Sequence, residues 1–86
     1  MKYDVKMKSR LKRMEGQLRG IHRMMEEGQA CKDVITQLSA VRSGIDRTIG
    51  VVVSENLVEC VRANEGDPEQ MDDLIAEAVA LLVKSR

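Results

Sequence analysis

The stretch CKDVITQLSAVRSGIDRTIGVVVSENLVECVR, residues 31–62, decides the fold. It contains no proline and places Val34, Leu38, Val41, Ile45, Ile49, Val52, Val53 and Leu57 at helical spacing. Val51, Val52 and Val53 alone would suit a strand, but helical periodicity flanks them on both sides with no turn chemistry between. The stretch therefore reads as one helix, about 45–48 Å long at 1.5 Å per residue.

Upstream, Met7, Leu11, Met14, Leu18, Ile21 and Met25 follow a 4-3-4-3-4 spacing that keeps an apolar stripe on one helix face, and Gly28 stops it. Gly16 and Gly20 inside this helix each cost up to about 1 kcal/mol relative to Ala, which either a close backbone contact or simple tolerance would explain. Downstream, Asn64, Glu65, Gly66 and Asp67 form a break. Asp67-Pro68-Glu69-Gln70 then opens a third helix, with Asp as N-cap, Pro at the first helical position and Gln at the capping-box position. Its stripe is Met71, Leu74, Ile75, Ala78, Val79 and Leu82, with acids in the first turn where the helix dipole favours them. The result is an all-α subunit of three helices with a long central one. No internal repeat or βαβ alternation is present.

The chain has 86 residues, no Phe, no Trp and one Tyr. It reads as a single domain over 1–86, and a domain this small buries only about 60–65% of the surface its unfolded chain exposes. Two short helices cannot cover every face of a helix roughly 45 Å long, so a second chain is expected to finish the core. The simplest closed arrangement is an antiparallel dimer with the long helices side by side.

The formal net charge is zero but unevenly spread. Residues 1–23 carry eight basic side chains against Asp4 and Glu15, whereas residues 63–86 carry six acids against Lys84 and Arg86. A basic end of this kind suits a polyanion. No helix-turn-helix, zinc finger or set of base-stacking aromatics is present. Lys6, Lys8, Arg10, Lys12, Arg13, Gln17 and Arg19 on the first helix, with Arg42 and Arg47 on the long one, are candidate DNA contacts or, on composition alone, equally an ordinary solvated face. Arg10, Arg13 and Gln17 share a face and can address phosphates or base edges. With no signal peptide, membrane-length apolar run or lipidation motif, a cytoplasmic location is expected.

In that reducing compartment, Cys31 and Cys60 are expected to be reactive or metal-binding rather than a structural staple. They lie about 43 Å apart by helical rise, whereas a disulfide needs Cα atoms within about 7 Å, so they cannot bond within one straight helix. If two long helices pack antiparallel about their midpoint, residue i faces residue 91 − i. Cys31 then meets Cys60 of the other chain, Val34 meets Leu57, and Leu38 meets Val53. Cys31 stands at a helix N-terminus beside Lys32, where free amides and positive charge favour an attacking thiolate, leaving Cys60 to resolve. One turn before Cys60 stands Asn56, a poor ligand for a soft metal. The only histidine, His22, lies in the basic stretch and reads as solvated or DNA-facing.

The runs RLKRMEGQLRGI (10–21), CKDVITQLSA (31–40) and ENLVECV (55–61) strongly resemble the copper-sensing operon repressor (CsoR) family over nearly the whole chain. The family pattern is a Cys opening the long helix and a His-x-x-x-Cys further along it, the two Cys and the His binding Cu(I). Here Asn56 stands at the His position, and Ala30 replaces the Tyr that often precedes the first Cys in copper sensors. The nickel and cobalt branch needs extra histidines, including one near the N-terminus, where this chain has Lys2 and Tyr3. The departure resembles the persulfide-sensing branch (CstR), which keeps both cysteines and lacks the histidine.

What that resemblance implies is a disc-like homotetramer, a dimer of dimers, that binds operator DNA when reduced. Reactive sulfur species then join Cys31 to Cys60 of the neighbouring subunit through di- or polysulfide links, and sulfide-detoxification genes are derepressed. No cofactor and no resident metal are implied. The alternative is a repressor responding to Cu(I) or another soft metal through two thiolates and a third ligand. A thiol enzyme passing persulfide to an acceptor would need a general base, an oxyanion hole or a substrate pocket, none of which the chain supplies, so an enzyme is not expected.

Overall fold

The computed structural model describes residues 2–63 and 67–85. Three helices follow one another: α1 (Val5–Glu26), α2 (Cys31–Ala63) and α3 (Pro68–Lys84). The long stretch is one unbroken helix, Val51–Val53 included. The break read at Asn64, Glu65 and Gly66 lies outside the described residues.

Local chemistry sets the helix ends. Asp4 caps α1 by accepting the Met7 N–H at 2.8 Å, a start the apolar spacing alone does not mark. Gly28, at φ +69°, ends it: its N–H donates to the Met25 carbonyl at 3.1 Å and that of Gln29 to the Met24 carbonyl at 3.0 Å. This is the paired 5→2 and 6→1 pattern of a Schellman turn, which needs the left-handed residue that Gly supplies without a Cβ penalty. Asp67 caps α3 as expected, accepting from the Glu69 and Gln70 N–H groups at 3.1 and 3.3 Å, with Pro68 opening the helix.

The chain divides into two compact units, Tyr3–Thr48 and Ile49–Arg86, the second also taking in the first two residues. Within Tyr3–Thr48, α1 and the first half of α2 form an antiparallel hairpin whose core is Ile21, Val34 and Val41, with Met24 packed against it. Met7 and Met14 are also buried. The α1 stripe is thus split lengthwise: every seventh residue, Met7, Met14 and Ile21, is covered, while Leu11, Leu18 and Met25 remain 58%, 48% and 54% exposed. A single partner helix covers only one edge of a stripe this wide. Met24, which the apolar spacing does not include, packs against this core, while Met25, which it does include, stays exposed.

On α2, Val34 and Val41 turn into the hairpin while Ile35, Leu38 and Ile45 stay exposed. Val34 and Val53 are therefore already covered within their own chain, and the pairs Val34/Leu57 and Leu38/Val53 do not supply two free apolar faces. Within Ile49–Arg86, α3 repeats the split. Met71, Leu74 and Ala78 are half-buried, whereas Ile75, Val79 and Leu82 are exposed. Among the described residues, no helix is long and apolar enough to cross a membrane.

The close approach considered for Gly16 and Gly20 does not occur within the chain, since a Cβ on either would meet nothing within 4 Å. Among the described glycines the tight one is Gly44, where a Cβ would lie 3.2 Å from Sδ and 3.7 Å from Cγ of Met14.

Candidate nucleic-acid interface and sensor thiols

Beside the hairpin seam runs an open groove of about 430 Å³. Its cations are Lys6, Arg10 and Arg13 from α1 and Arg47 from α2, with Ser9 and Gln17 as neutral polar neighbours. Val5, Met14, Ala40 and Gly44 complete its lining. Among the described residues, no carboxylate lines the groove and no ion pair occupies its four cations. An unpaired cluster of this kind favours an anion, and three guanidiniums give it the planar donors that phosphate oxygens accept.

Five of the residues singled out from the sequence, Lys6, Arg10, Arg13, Gln17 and Arg47, thus come together around one groove. Four do not. Lys8, Lys12 and Arg19 sit about 120–160° round α1 from the buried Met14, on its solvent side. Arg42 is exposed on the α2 face that carries Leu38 and Ile45, away from Arg47. Sequence reasoning missed Ser9, Ala40 and Gly44. The available signal was helical phase: Ser9 lies one turn before Arg13, and Ala40 and Gly44 lead at turn intervals to Arg47.

Both cysteines are thiols rather than halves of a disulfide, Cys31 exposed and Cys60 half-buried. Cys31 is the first residue of α2, and Ala30 before it offers no side-chain oxygen to the first amides, in contrast with Asp4 and Asp67 at the other two helix starts. The Ala30 carbonyl opens the helix, accepting from the Asp33 and Val34 N–H groups at 3.0 and 3.2 Å. Neighbouring Lys32 is exposed, and its carbonyl accepts the Thr36 hydroxyl at 2.9 Å. At the far end of α2, the Cys60 thiol lies 3.9 Å from the Asn56 side-chain oxygen, one turn back.

A thiol with an amide oxygen is a mixed soft and hard donor pair, and a soft cation such as Cu(I) is better matched by thiolate and imidazole. His22 does not complete the set: it is exposed on α1, with Nδ1 3.4 Å from Glu26 Oε1. Among the described residues, no three His, Cys, Asp or Glu side chains converge as a metal site within the chain.

Comparison with known proteins places this arrangement. The metal-sensitive transcriptional repressor family matches residues 3–84. The uncharacterized protein YrkD of Bacillus subtilis is 52% identical over 63 residues, 73% of this chain and all of that protein. The copper-sensing transcriptional repressor RicR of Mycobacterium tuberculosis is 44% identical over 87% of this chain and 79% of its own length. The copper-sensing transcriptional repressor CsoR of Bacillus subtilis is 33% identical over 90% of this chain and 78% of its own length. Among solved structures, the nickel-responsive transcriptional regulator InrS superposes with a TM-score of 0.81 at 32% identity, covering 95% of this chain and 96% of that one. With one helical pattern, one basic groove and a family match from residue 3 to residue 84, the chain belongs to the metal-sensitive, CsoR-like transcriptional repressors.

Proposed function

We propose that this repressor belongs to the persulfide-sensing CstR branch, holding operator DNA in its reduced form and releasing it when sulfane sulfur links Cys31 to Cys60 of a neighbouring subunit. The observation that carries the sulfur reading is Asn56 beside Cys60: the position that would give a copper sensor its imidazole holds an amide oxygen 3.9 Å from the thiol. The DNA reading is supported by the basic groove. On this reading residues 1–86 act as one sensor and DNA-binding domain in the cytoplasm, and the genes released serve sulfide detoxification.

The chemistry balances with the inducer as oxidant. The Cys31 thiolate attacks the terminal sulfur of a persulfide RSSH, forming Cys31–S–SH and expelling RS⁻. The Cys60 thiolate of the neighbouring subunit attacks the Cys31 sulfur, the S–S bond breaks, hydrosulfide leaves and an interchain disulfide remains. Polysulfide donors leave additional sulfur atoms in the bridge. Cys31 suits the attacking role because it is exposed at a helix start without a side-chain cap, beside Lys32. Antiparallel pairing of two unbroken α2 helices brings Cys31 and Cys60 of different subunits to the same level. The exposed Ile35, Leu38 and Ile45 give such a partner apolar surface to cover. A tetramer built from two such dimers carries four basic grooves.

Intact-mass analysis under non-reducing conditions after polysulfide treatment tests this. The expected product is a covalent dimer with mass increments of whole sulfur atoms and weakened binding to an operator duplex selected in vitro. Unlinked monomer with unchanged DNA binding would overturn it. The copper-sensing relatives favour a second reading, in which Cu(I) is the inducer. Stoichiometric Cu(I) binding that releases DNA, together with indifference to polysulfide, would establish that instead.

A further inference from the structure

We propose that Gly44 is a positioning residue for DNA binding: by lacking a Cβ it lets α2 lie against Met14 closely enough to hold Arg47 across the groove from Arg10 and Arg13. The inference rests on the groove being the DNA interface. A Cβ at Gly44 would meet the Met14 sulfur at 3.2 Å, tighter than side chains ordinarily tolerate. Met14 is 5% exposed and lines the groove, so a Cβ at Gly44 displaces its sulfur into the groove or pushes α1 from α2, and either changes the space between the guanidiniums. Thr48, one turn on, donates its hydroxyl to the Gly44 carbonyl at 2.8 Å within the same helix.

The approach is bracketed by the guanidiniums it would space. Arg13 directly precedes Met14, Arg10 is one turn earlier, and Arg47 follows Gly44 by three residues on the same side of α2. Glycine is a poor helix former, and no turn or positive φ requires one at this position. Elsewhere on α2, Gly50 would meet nothing within 4 Å if given a Cβ. Separating the helices at Met14 widens the groove between Arg10 and Arg13 on α1 and Arg47 on α2.

The test compares Gly44→Ala, Gly50→Ala and the double variant Gly44→Ala/Met14→Val, whose shortened side chain ends before the position of the sulfur, each as the full reduced protein with a labelled duplex selected in vitro for tight binding. Gly44→Ala is expected to bind on the order of tenfold more weakly, with the slope of log K against log salt shallower by about one, as when one phosphate is no longer neutralised. Its melting temperature is expected to change little, because the helix preference of Ala offsets the strain of the Met14 contact. Gly50→Ala is expected to bind as the parent does, and the double variant, which removes the obstructing sulfur, to recover most of the parent's affinity. Parental affinity for Gly44→Ala, an equal weakening in Gly50→Ala, or a weakening matched by a fall in melting temperature would overturn the proposal. If Arg10→Ala and Arg47→Ala also bind as the parent does, the groove is not the DNA interface, and that reading falls together with this one.

Discussion

Cys60 carries its thiol 3.9 Å from the side-chain oxygen of Asn56, one helical turn earlier on α2. An imidazole at the same position would offer a nitrogen donor that suits copper better than an amide oxygen. Asn56→His is therefore expected to tighten Cu(I) binding on the order of tenfold or more, read by competition with a colorimetric Cu(I) chelator. Equal affinity in the two proteins would mean that residue 56 does not set the choice of inducer.

The proposed interchain site predicts complementation between damaged subunits. Cys31→Ser protein and Cys60→Ser protein are each expected to give no covalent dimer with polysulfide. Unfolded together and refolded as a mixture, they should regain one link per mixed dimer, since one chain supplies Cys31 and the other Cys60. Non-reducing electrophoresis of the mixture reads this directly. Cross-linking in either single variant would show that like cysteines meet instead.

The groove predicts a division among the basic residues. Arg10→Ala, Arg13→Ala and Arg47→Ala are each expected to flatten the salt dependence of operator binding, the slope changing by about 0.9 for each phosphate left without its cation. Lys12→Ala and Arg19→Ala, on the far side of α1, are expected to change it far less. Fluorescence anisotropy over a salt series makes the comparison, and equal slopes across all five would assign the effect to total charge rather than to the groove.

Covered and uncovered apolar residues should separate folding from association. Ile21→Ala opens a cavity in the hairpin core and is expected to cost about 2–5 kcal/mol in denaturant unfolding at any protein concentration. Leu38→Ala removes a side chain that is 39% exposed in the single chain, so its main effect is expected on self-association. Sedimentation should then show more monomer on dilution, and the melting temperature should become more dependent on concentration.

Much of the fold was legible because helices announce themselves by phase. Residues 31–62 hold an apolar period through Val51–Val53, and Gly28, Asp67 and Pro68 carry the chemistry of helix ends. Less legible was the width of each buried seam. Periodicity gives the direction of a stripe but not how much of it a neighbour covers, so Leu11 and Leu18 looked equivalent to Met7 and Met14. The basic residues of the groove were legible as a group through charge, yet charge does not say which face meets a second helix, and Lys8, Lys12, Arg19 and Arg42 came in with them. Gly44 left almost no trace, because a glycine within a helical pattern looks like a gap until the atom opposite it is known.

On α1 the buried line Met7, Met14 and Ile21 separates Leu11, Leu18 and Met25 on one flank from Lys6, Arg10, Arg13 and Gln17 on the other. An assembly that covers the oily flank leaves the cationic flank in water. If the groove is the DNA interface, every subunit added contributes another grip on the operator, and the grips act together as tethered ligands do, with an effective concentration set by their spacing. On that reading the repressor lets go of its promoter with every arginine still fitted to phosphate, because a change in the distance between grips turns avid binding into several weak, independent touches.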